Sequence, residues 1–498
     1  MLRVSDVVTI EEIEKWGAGD CITVKAGTGI GKSWLIKNSL YNIAKQENKR
    51  ILMLIHRCNC TEQFIDEITR DNKTDIIDIK TYQKLEYKEL HRYKNDLSEY
   101  QYIVCDEFHY FMSDAAFSKT TDMSLDLILG QQFVTKIFMS ATGDDMKRYI
   151  NEFKGIETID YELPIEFNFI NSLSFFYNDD TFENFMEEII KRKEKAIFFI
   201  QSAKKAYELY QKYKDNCLFN CSKNNSDYYK YVDKEKIKSM LTNEKFEDLI
   251  LITTTCMDAG VNLIDLELKH IVCEVEDTGT LIQCIGRKRI QNENDNINLY
   301  IKIISNNFLG GKETQIKKRL LMANFLKKHT IKEFILEFPR QYDFSNIVYD
   351  AVVKENDKST KKINGLMVFK CEEDLKEIEL IKDFGKYGYC EYLKNIFGID
   401  FYRVIEEQNK IDELEKYLES IVGKKLFKEE QKKLIEKIDL KDKRGRIQKS
   451  ISILNAYFNE NKLLYTIKSH TNNIKKLDDN SKNPYYRKVY WMIYKLSI

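Results

Sequence analysis

The chain has 498 residues, and its 79 Lys and Arg balance 79 Asp and Glu, so global charge names no polyanionic partner. A content of 43% hydrophobic and 32% charged residues excludes a disordered chain. Charge is unevenly spread all the same: residues 1–310 are acidic by about ten charges and residues 311–498 basic by about ten.

Length alone predicts about three domains at the usual size. The 11 cysteines are scattered. The close pairs, Cys58-x-Cys60 and Cys217-x-x-x-Cys221, lack a second pair at zinc spacing, so reduced thiols are expected. Thiols of this kind favour the cytosol. No apolar run reaches the ~18 residues needed to span a bilayer, and the N-terminus has no signal-peptide core. A cytoplasmic protein without a membrane partner is expected.

The first informative stretch is Ala26-Gly27-Thr28-Gly29-Ile30-Gly31-Lys32-Ser33. It follows the apolar run Cys21 to Val24 and opens a segment with apolar residues at helical spacing, Leu35, Leu40, Ile43 and Ala44. Strand, glycine-rich turn, Lys-Ser and helix together make a phosphate-binding loop. Backbone N–H groups turn inward as an anion nest, and the helix N-terminus adds its dipole. Lys32 is expected on the β- and γ-phosphates and Ser33 on Mg²⁺.

Ile51 to Ile55 reads as a buried parallel strand, with His56-Arg57 at its carboxyl end, where ligands of open α/β sheets bind. That basic pair fits a phosphate backbone or a simple surface cap. Thr81 stands at the next strand-to-helix switch. Tyr102 to Cys105 then forms a strand ending in Asp106-Glu107-Phe108-His109. Adjacent carboxylates repel each other, and a cation relieves that repulsion. Asp106 would hold Mg²⁺, and Glu107 would orient or deprotonate an attacking water. Lys136 to Met139 is a further strand, capped by Ser140-Ala141-Thr142, whose hydroxyls can reach the Asp106-Glu107 segment.

Residues 151–172 read as a crossing without clear period. A second alternation of strands and helices follows, with strands at 174–177, 196–200, 249–252, 270–273 and 299–303, and no second phosphate loop. Two features stand out there. Thr253 to Asn262 runs from a strand end into a turn. Gln283-Cys284-Ile285-Gly286-Arg287-Lys288-Arg289 is placed early in a helix, with Arg287 and Arg289 free to face a nucleotide or to line a basic surface.

In this order and spacing, Ala26 to Ser33, Asp106 to His109, Ser140 to Thr142, Thr254 to Asn262 and Gln283 to Arg287 resemble the superfamily-2 helicases. Asp-Glu-Phe-His resembles the DExH-box branch, and Ala26 matches its A-x-x-G-x-G-K-[ST] form. The chain looks similar to compact helicases of phages and mobile elements. The resemblance covers about residues 15–305.

It implies two tandem RecA-like parallel-sheet domains followed by a mainly helical domain, with expected boundaries 1–165, 166–308 and 309–498. It also implies ATP and Mg²⁺ in the cleft and a DNA or RNA strand across both sheets, most simply a single strand. On that resemblance Ala26, Gly27, Thr28, Gly29, Ile30, Gly31, Lys32 and Ser33, with Gly260 and Asn262 opposite, contact the nucleotide. Lys32, Asp106 and Glu107 carry hydrolysis, Arg287 is the arginine finger, and Ser33 and Asp106 hold the metal. Arg57, Thr81 and Thr254 fall where the family touches phosphates of the strand.

The family's last motif often reads Q-x-x-G-R-x-x-R, and Ile290 occupies the final position here. Either Arg289 supplies that arginine or one finger works alone. Residues 311–498 match no motif and read as helices, with basic clusters at Lys441 to Arg446 and Tyr485 to Trp491. The expected activity is an ATP-driven helicase or translocase. A remodelling ATPase that does not unwind, or a non-hydrolysing scaffold, are the alternatives.

Overall fold

In the computed structural model, residues 2–496 are described apart from 28, 57, 92, 94, 117, 119, 258–260, 340–345, 352–359 and 443, and backbone alone at 58–63, 90, 116, 351 and 360. The first sheet holds β1 (Cys21–Lys25), β2 (Ile51–Ile55), β3 (Ile77–Thr81), β4 (Tyr102–Asp106), β5 (Thr135–Ser140) and β6 (Thr158–Glu162). Its order is β3-β2-β4-β5-β1-β6, with every pairing parallel. The continuous apolar runs of β1, β2, β4 and β5 are buried, as strands covered on both faces require. β6 lay inside the crossing without clear period. It is an edge strand in which only Tyr161 is buried, so it carries no apolar signature.

Register decides where the site forms. Lys25 pairs with Ser140 and Asp106 with Met139, so three strand ends meet at one edge of the sheet. The phosphate loop leaves β1 there, and its helix runs from Lys32 to Gln46, with wider turns over Leu35–Leu40.

Within residues 1–402 the second sheet holds β7 (Ile170–Phe176), β8 (Lys195–Ile200), β9 (Cys217–Asn220), β10 (Ile250–Thr253), β11 (Leu268–Glu274) and β12 (Ile297–Lys302). These strands run parallel in the order β7-β12-β11-β8-β10-β9. The fold is therefore two tandem RecA-like parallel-sheet lobes followed by a mostly helical region.

That region begins with helices Asn306–Lys328 and Ile331–Glu337, a hairpin of β13 (Val348–Ala351) and β14 (Thr360–Ile363), and helices Gly365–Asp383 and Gly388–Phe397. The helix Gly365–Asp383 touches both lobes. Glu373 accepts from Arg148 and Phe369 packs edge-on against Tyr149 of the first lobe, while Glu377 accepts from Thr278 of the second at 2.7 Å. Gly388 allows the turn between the last two helices: a Cβ there would sit 1.8 Å from the Ile381 carbonyl oxygen.

Two compact units part between Tyr402 and Arg403, inside the stretch 309–498 expected as one helical domain. Residues 403–498 have their own core, with Leu418, Leu434, Leu454, Phe458 and Ile493 fully buried. Three helices, Ile405–Ile421, Lys428–Ile438 and Ile451–Glu460, pack with an antiparallel ribbon of β15 (Tyr465–Thr471) and β16 (Val489–Lys495). No helix among the described residues is long and apolar enough to cross a membrane, and none of the described cysteines is in a disulfide.

Candidate active site

The phosphate loop takes the form its glycines permit. Gly29 and Gly31 adopt φ of +83° and +102°, a region costly for any residue with a Cβ. Ala26 is fully buried and donates its N–H to the Ser140 carbonyl at 3.0 Å, which fixes the loop's root to β5. Lys32 is buried, with Nζ donating to the carbonyls of Ala26 at 2.8 Å and Gly27 at 3.2 Å. Burial lowers its pKa, opposed by the charges of Glu107 and Asp106. Thr28 lies outside the described residues. Ser33, half-buried, sits at the helix start beside Lys32.

Beyond β4 the backbone is strained. Glu107 has φ of +48°, a left-handed conformation in a residue with a long side chain. The Tyr82 hydroxyl donates to the Asp106 carbonyl at 2.8 Å, and Phe108 N–H donates to Met139 at 3.1 Å, so both flanks are held. Burial, and then the neighbouring Glu107 charge, raise Asp106 to about 7. Burial would raise Glu107 too, but Lys32 and the His109 hydrogen bond outweigh it and hold Glu107 well below the carboxylate range. One carboxylate is kept charged while the other is pushed toward neutrality, a pair that titrates jointly. Ionised Asp106 and the Ser33 hydroxyl are hard oxygen donors of the kind Mg²⁺ takes, and a cation beside Asp106 would favour its charged form.

Ser140 and Thr142 join this pair to the second lobe. The Ser140 hydroxyl donates to Glu107 Oε2 at 3.4 Å and lies 2.9 Å from His109 Nδ1. Thr142 N–H donates to the Ser140 hydroxyl at 3.0 Å. Across the cleft, Gln283 is buried with Nε2 2.8 Å from His109 Nε2 and 3.3 Å from the Thr142 hydroxyl. A path of contacts therefore runs from Glu107 through Ser140 and His109 to Gln283. Sequence alone gave His109 no partner, because Gln283 is 174 residues away.

The helix carrying Gln283 runs Thr278–Ile285, with Asp277 as its N-cap and Gly286 after its last turn. The motif therefore lies at a helix end, not early in a helix as expected. Arg287 and Arg289 follow in irregular backbone, which lets them turn into the cleft. Arg287 is buried, with Nε donating to the Gln283 carbonyl at 2.9 Å and Nη1 to the Val261 carbonyl at 3.3 Å. Its Nη2 has no hydrogen-bond partner among the described residues.

Arg289 reaches further. It donates from Nε to Asn262 Oδ1 at 2.8 Å and from Nη1 to the Gly286 carbonyl at 3.0 Å. The same Nη1 would lie 3.0 Å from a Cβ placed on Gly29, so this guanidinium rests against the phosphate loop. Burial, then the nearby Arg287, lower its pKa to about 9. Asn262 also donates to Glu244 at 3.1 Å.

The described residues expected to meet a nucleic-acid strand make local contacts. The Thr81 hydroxyl caps the helix Tyr82–Leu90 by accepting from Lys84 N–H at 3.2 Å. Thr254 is buried, its hydroxyl accepting from Cys256 N–H at 3.5 Å. His56 lies 3.2 Å from Asp114. Arg57 and Gly260 lie outside the described residues. Among the described residues no group of three or more His, Cys, Asp and Glu forms a metal cluster.

Residues 9–143 match the sequence family described as Type III restriction enzyme, res subunit. That stretch contains the phosphate loop, Asp106 to His109 and Ser140 to Thr142. Comparison with curated proteins finds no match. Among solved structures, the chain is similar to S. cerevisiae Dbp5 bound to RNA and ADP BeF3, at 14% identity over 59% of this chain and 82% of that one, with a TM-score of 0.43. It is also similar to the Escherichia coli DEAH/RHA helicase HrpB, at 15% identity over 61% of this chain and 43% of that one, with a TM-score of 0.42. The family match spans β1 to β5 of the first sheet and ends before β6.

Proposed function

We propose that this protein is an ATP-dependent nucleic-acid helicase or translocase of the DExH type, acting in the cytoplasm on DNA or RNA. The observation that carries this reading is the meeting of two half-sites. Lys32, Asp106 and Glu107 come from the first lobe; from the second, Gln283 meets His109 and Thr142, and Arg289 rests against Gly29 of the phosphate loop.

ATP would lie on the loop Ala26 to Ser33, its phosphates taking the Lys32 ammonium from the Ala26 and Gly27 carbonyls. Ser33 and Asp106 would hold Mg²⁺, which supplies charge neutralisation of the phosphates. Glu107, kept ionised, orients the attacking water and takes its proton. Arg289 faces the phosphates from the second lobe, and Arg287 braces the cleft wall beside it. The contact of Arg289 with Gly29 supports Arg289 as the finger in place of the expected Arg287. A strand lying across both lobes, near Arg57, Thr81 and Thr254, would stabilise closure. Hydrolysis would then loosen the Gln283–His109 contact and let the lobes part.

Phosphate release in the presence of single- and double-stranded DNA and RNA tests this reading. Wild type is expected to be stimulated by at least one of the four, and Lys32→Ala to lose the stimulated rate. Stimulated hydrolysis persisting in Lys32→Ala would overturn it.

A further inference from the structure

The ribbon of residues 403–498 has one face that its core does not use. Tyr465, Ile467 and Ile493 point inward and are buried. Side chains alternate along a strand, so Thr466, Lys468 and His470 share the other face with their cross-strand partners Tyr494, Met492 and Tyr490. The face continues sideways. Leu426 exchanges both backbone hydrogen bonds with Trp491, at 2.8 and 2.9 Å, and turns inward. Its neighbours Lys425 and Phe427 therefore turn outward.

The aromatic rings on this face are already arranged against one another. Phe427 stacks on Tyr485 with centroids 4.0 Å apart, and it lies 5.7 Å from Tyr490. His470 stacks on Tyr490 at 5.6 Å, and the Tyr494 hydroxyl bonds His470 Nε2 at 2.9 Å. Cations stand over the rings: Lys425 over Tyr490 at 5.4 Å, Lys468 over Tyr494 at 5.3 Å and Lys488 over Tyr485 at 5.8 Å. None of these residues is a carboxylate. From Lys441 to the C-terminus, 13 Lys and Arg stand against 4 Asp and Glu.

We propose that this ribbon face is a second nucleic-acid-binding surface, built to hold a single strand by base stacking on Phe427, Tyr485, Tyr490 and Tyr494. Rings supply sequence-tolerant stacking while lysines track the phosphates. A membrane surface fits less well: Leu464 and Leu496 are exposed at one end of the ribbon, but between them and the Phe427–Tyr485 stack the face carries Met492 alone among lysines, histidine and hydroxylated rings. The inference does not rest on ATP hydrolysis by the paired lobes.

The full-length protein would be titrated, without nucleotide, into fluorescein-labelled 20-mers of oligothymidylate and oligouridylate. Tyr490→Ala/Tyr494→Ala is expected to weaken binding about tenfold or more, and Tyr490→Phe/Tyr494→Phe to stay within twofold. Lys425→Glu/Lys468→Glu, on exposed side chains, should also weaken binding and flatten the salt dependence by about 1.4 in log–log slope. A 5-bromouracil-substituted 20-mer should photocrosslink within residues 465–495, and still do so in Lys32→Ala, which separates this surface from the hydrolytic reading. Crosslinks confined to residues 2–402 would overturn the proposal. So would unchanged affinity in both the tyrosine and the lysine variants, or binding to phosphatidylserine vesicles with none to either 20-mer.

Discussion

Glu107 gathers three separate constraints in one residue. Its φ of +48° carries a strain of about 1–3 kcal/mol, which the surrounding contacts must hold in place. Glu107→Gly removes that strain along with the carboxylate, so the variant should melt at or above the wild-type temperature while phosphate release falls to background. Calorimetry and a phosphate assay on one preparation check both halves, and a lower melting temperature would show that the side-chain contacts outweigh the strain. The two arginines separate in the same manner. Arg289→Ala should leave ATP binding within a few fold but cut stimulated turnover by about 10³ or more, as removal of a finger does. Arg287→Ala, which loses carbonyl contacts to Gln283 and Val261, should instead lower turnover and thermal stability together.

At the level of elements, the strands that matter most for chemistry were legible because the chemistry fixes their spacing. A loop of three glycines before Lys32, and a strand ending in Asp106-Glu107, require particular residue types whatever surrounds them. β6 and β9 were not legible, one because an edge strand buries a single side chain and the other because Cys217–Asn220 has only Leu218-Phe219 between a cysteine and a polar Asn. The position of Gln283 was misread for a related reason. Its helix begins at the polar Thr278-Gly279-Thr280, so the apolar residues that mark a helix appear only near its end. That placement gives the Thr278–Ile285 helix a testable role. Its far end carries Gln283 to His109, so Gln283→Ala should lower nucleic-acid stimulation of hydrolysis about 5–150-fold and leave the basal rate little changed. Equal losses in both rates would show that Gln283 acts in the chemistry and not in communication.

For the whole molecule, the distribution of cores was only partly visible in advance. Charge reported that residues 311–498 differ from the rest, but not that the compact units part at Tyr402 and Arg403. The reason is that helices up to Phe397 bury their apolar faces against elements more than 100 residues distant, as Phe397 does against Phe167. Two cores predict two unfolding transitions. Phe458→Ala removes a fully buried ring from the C-terminal core, at a cost of about 3–5 kcal/mol. Scanning calorimetry should show one transition falling and the other, with the ATPase, unmoved.

Glu373 and Glu377 lie one turn apart, about 6 Å along a single helix, and each grips a different lobe. A flexible linker would let the lobes drift apart in any direction. A rigid helix pinned to both at neighbouring points behaves as the spine of a book. The pages then open by rotation about that line, and displacement grows with distance from it. Nucleotide-driven motion should accordingly be smallest beside Thr278 and largest at the cleft's far rim. Spin-label distances measured at increasing range from the helix Gly365–Asp383 would trace that gradient.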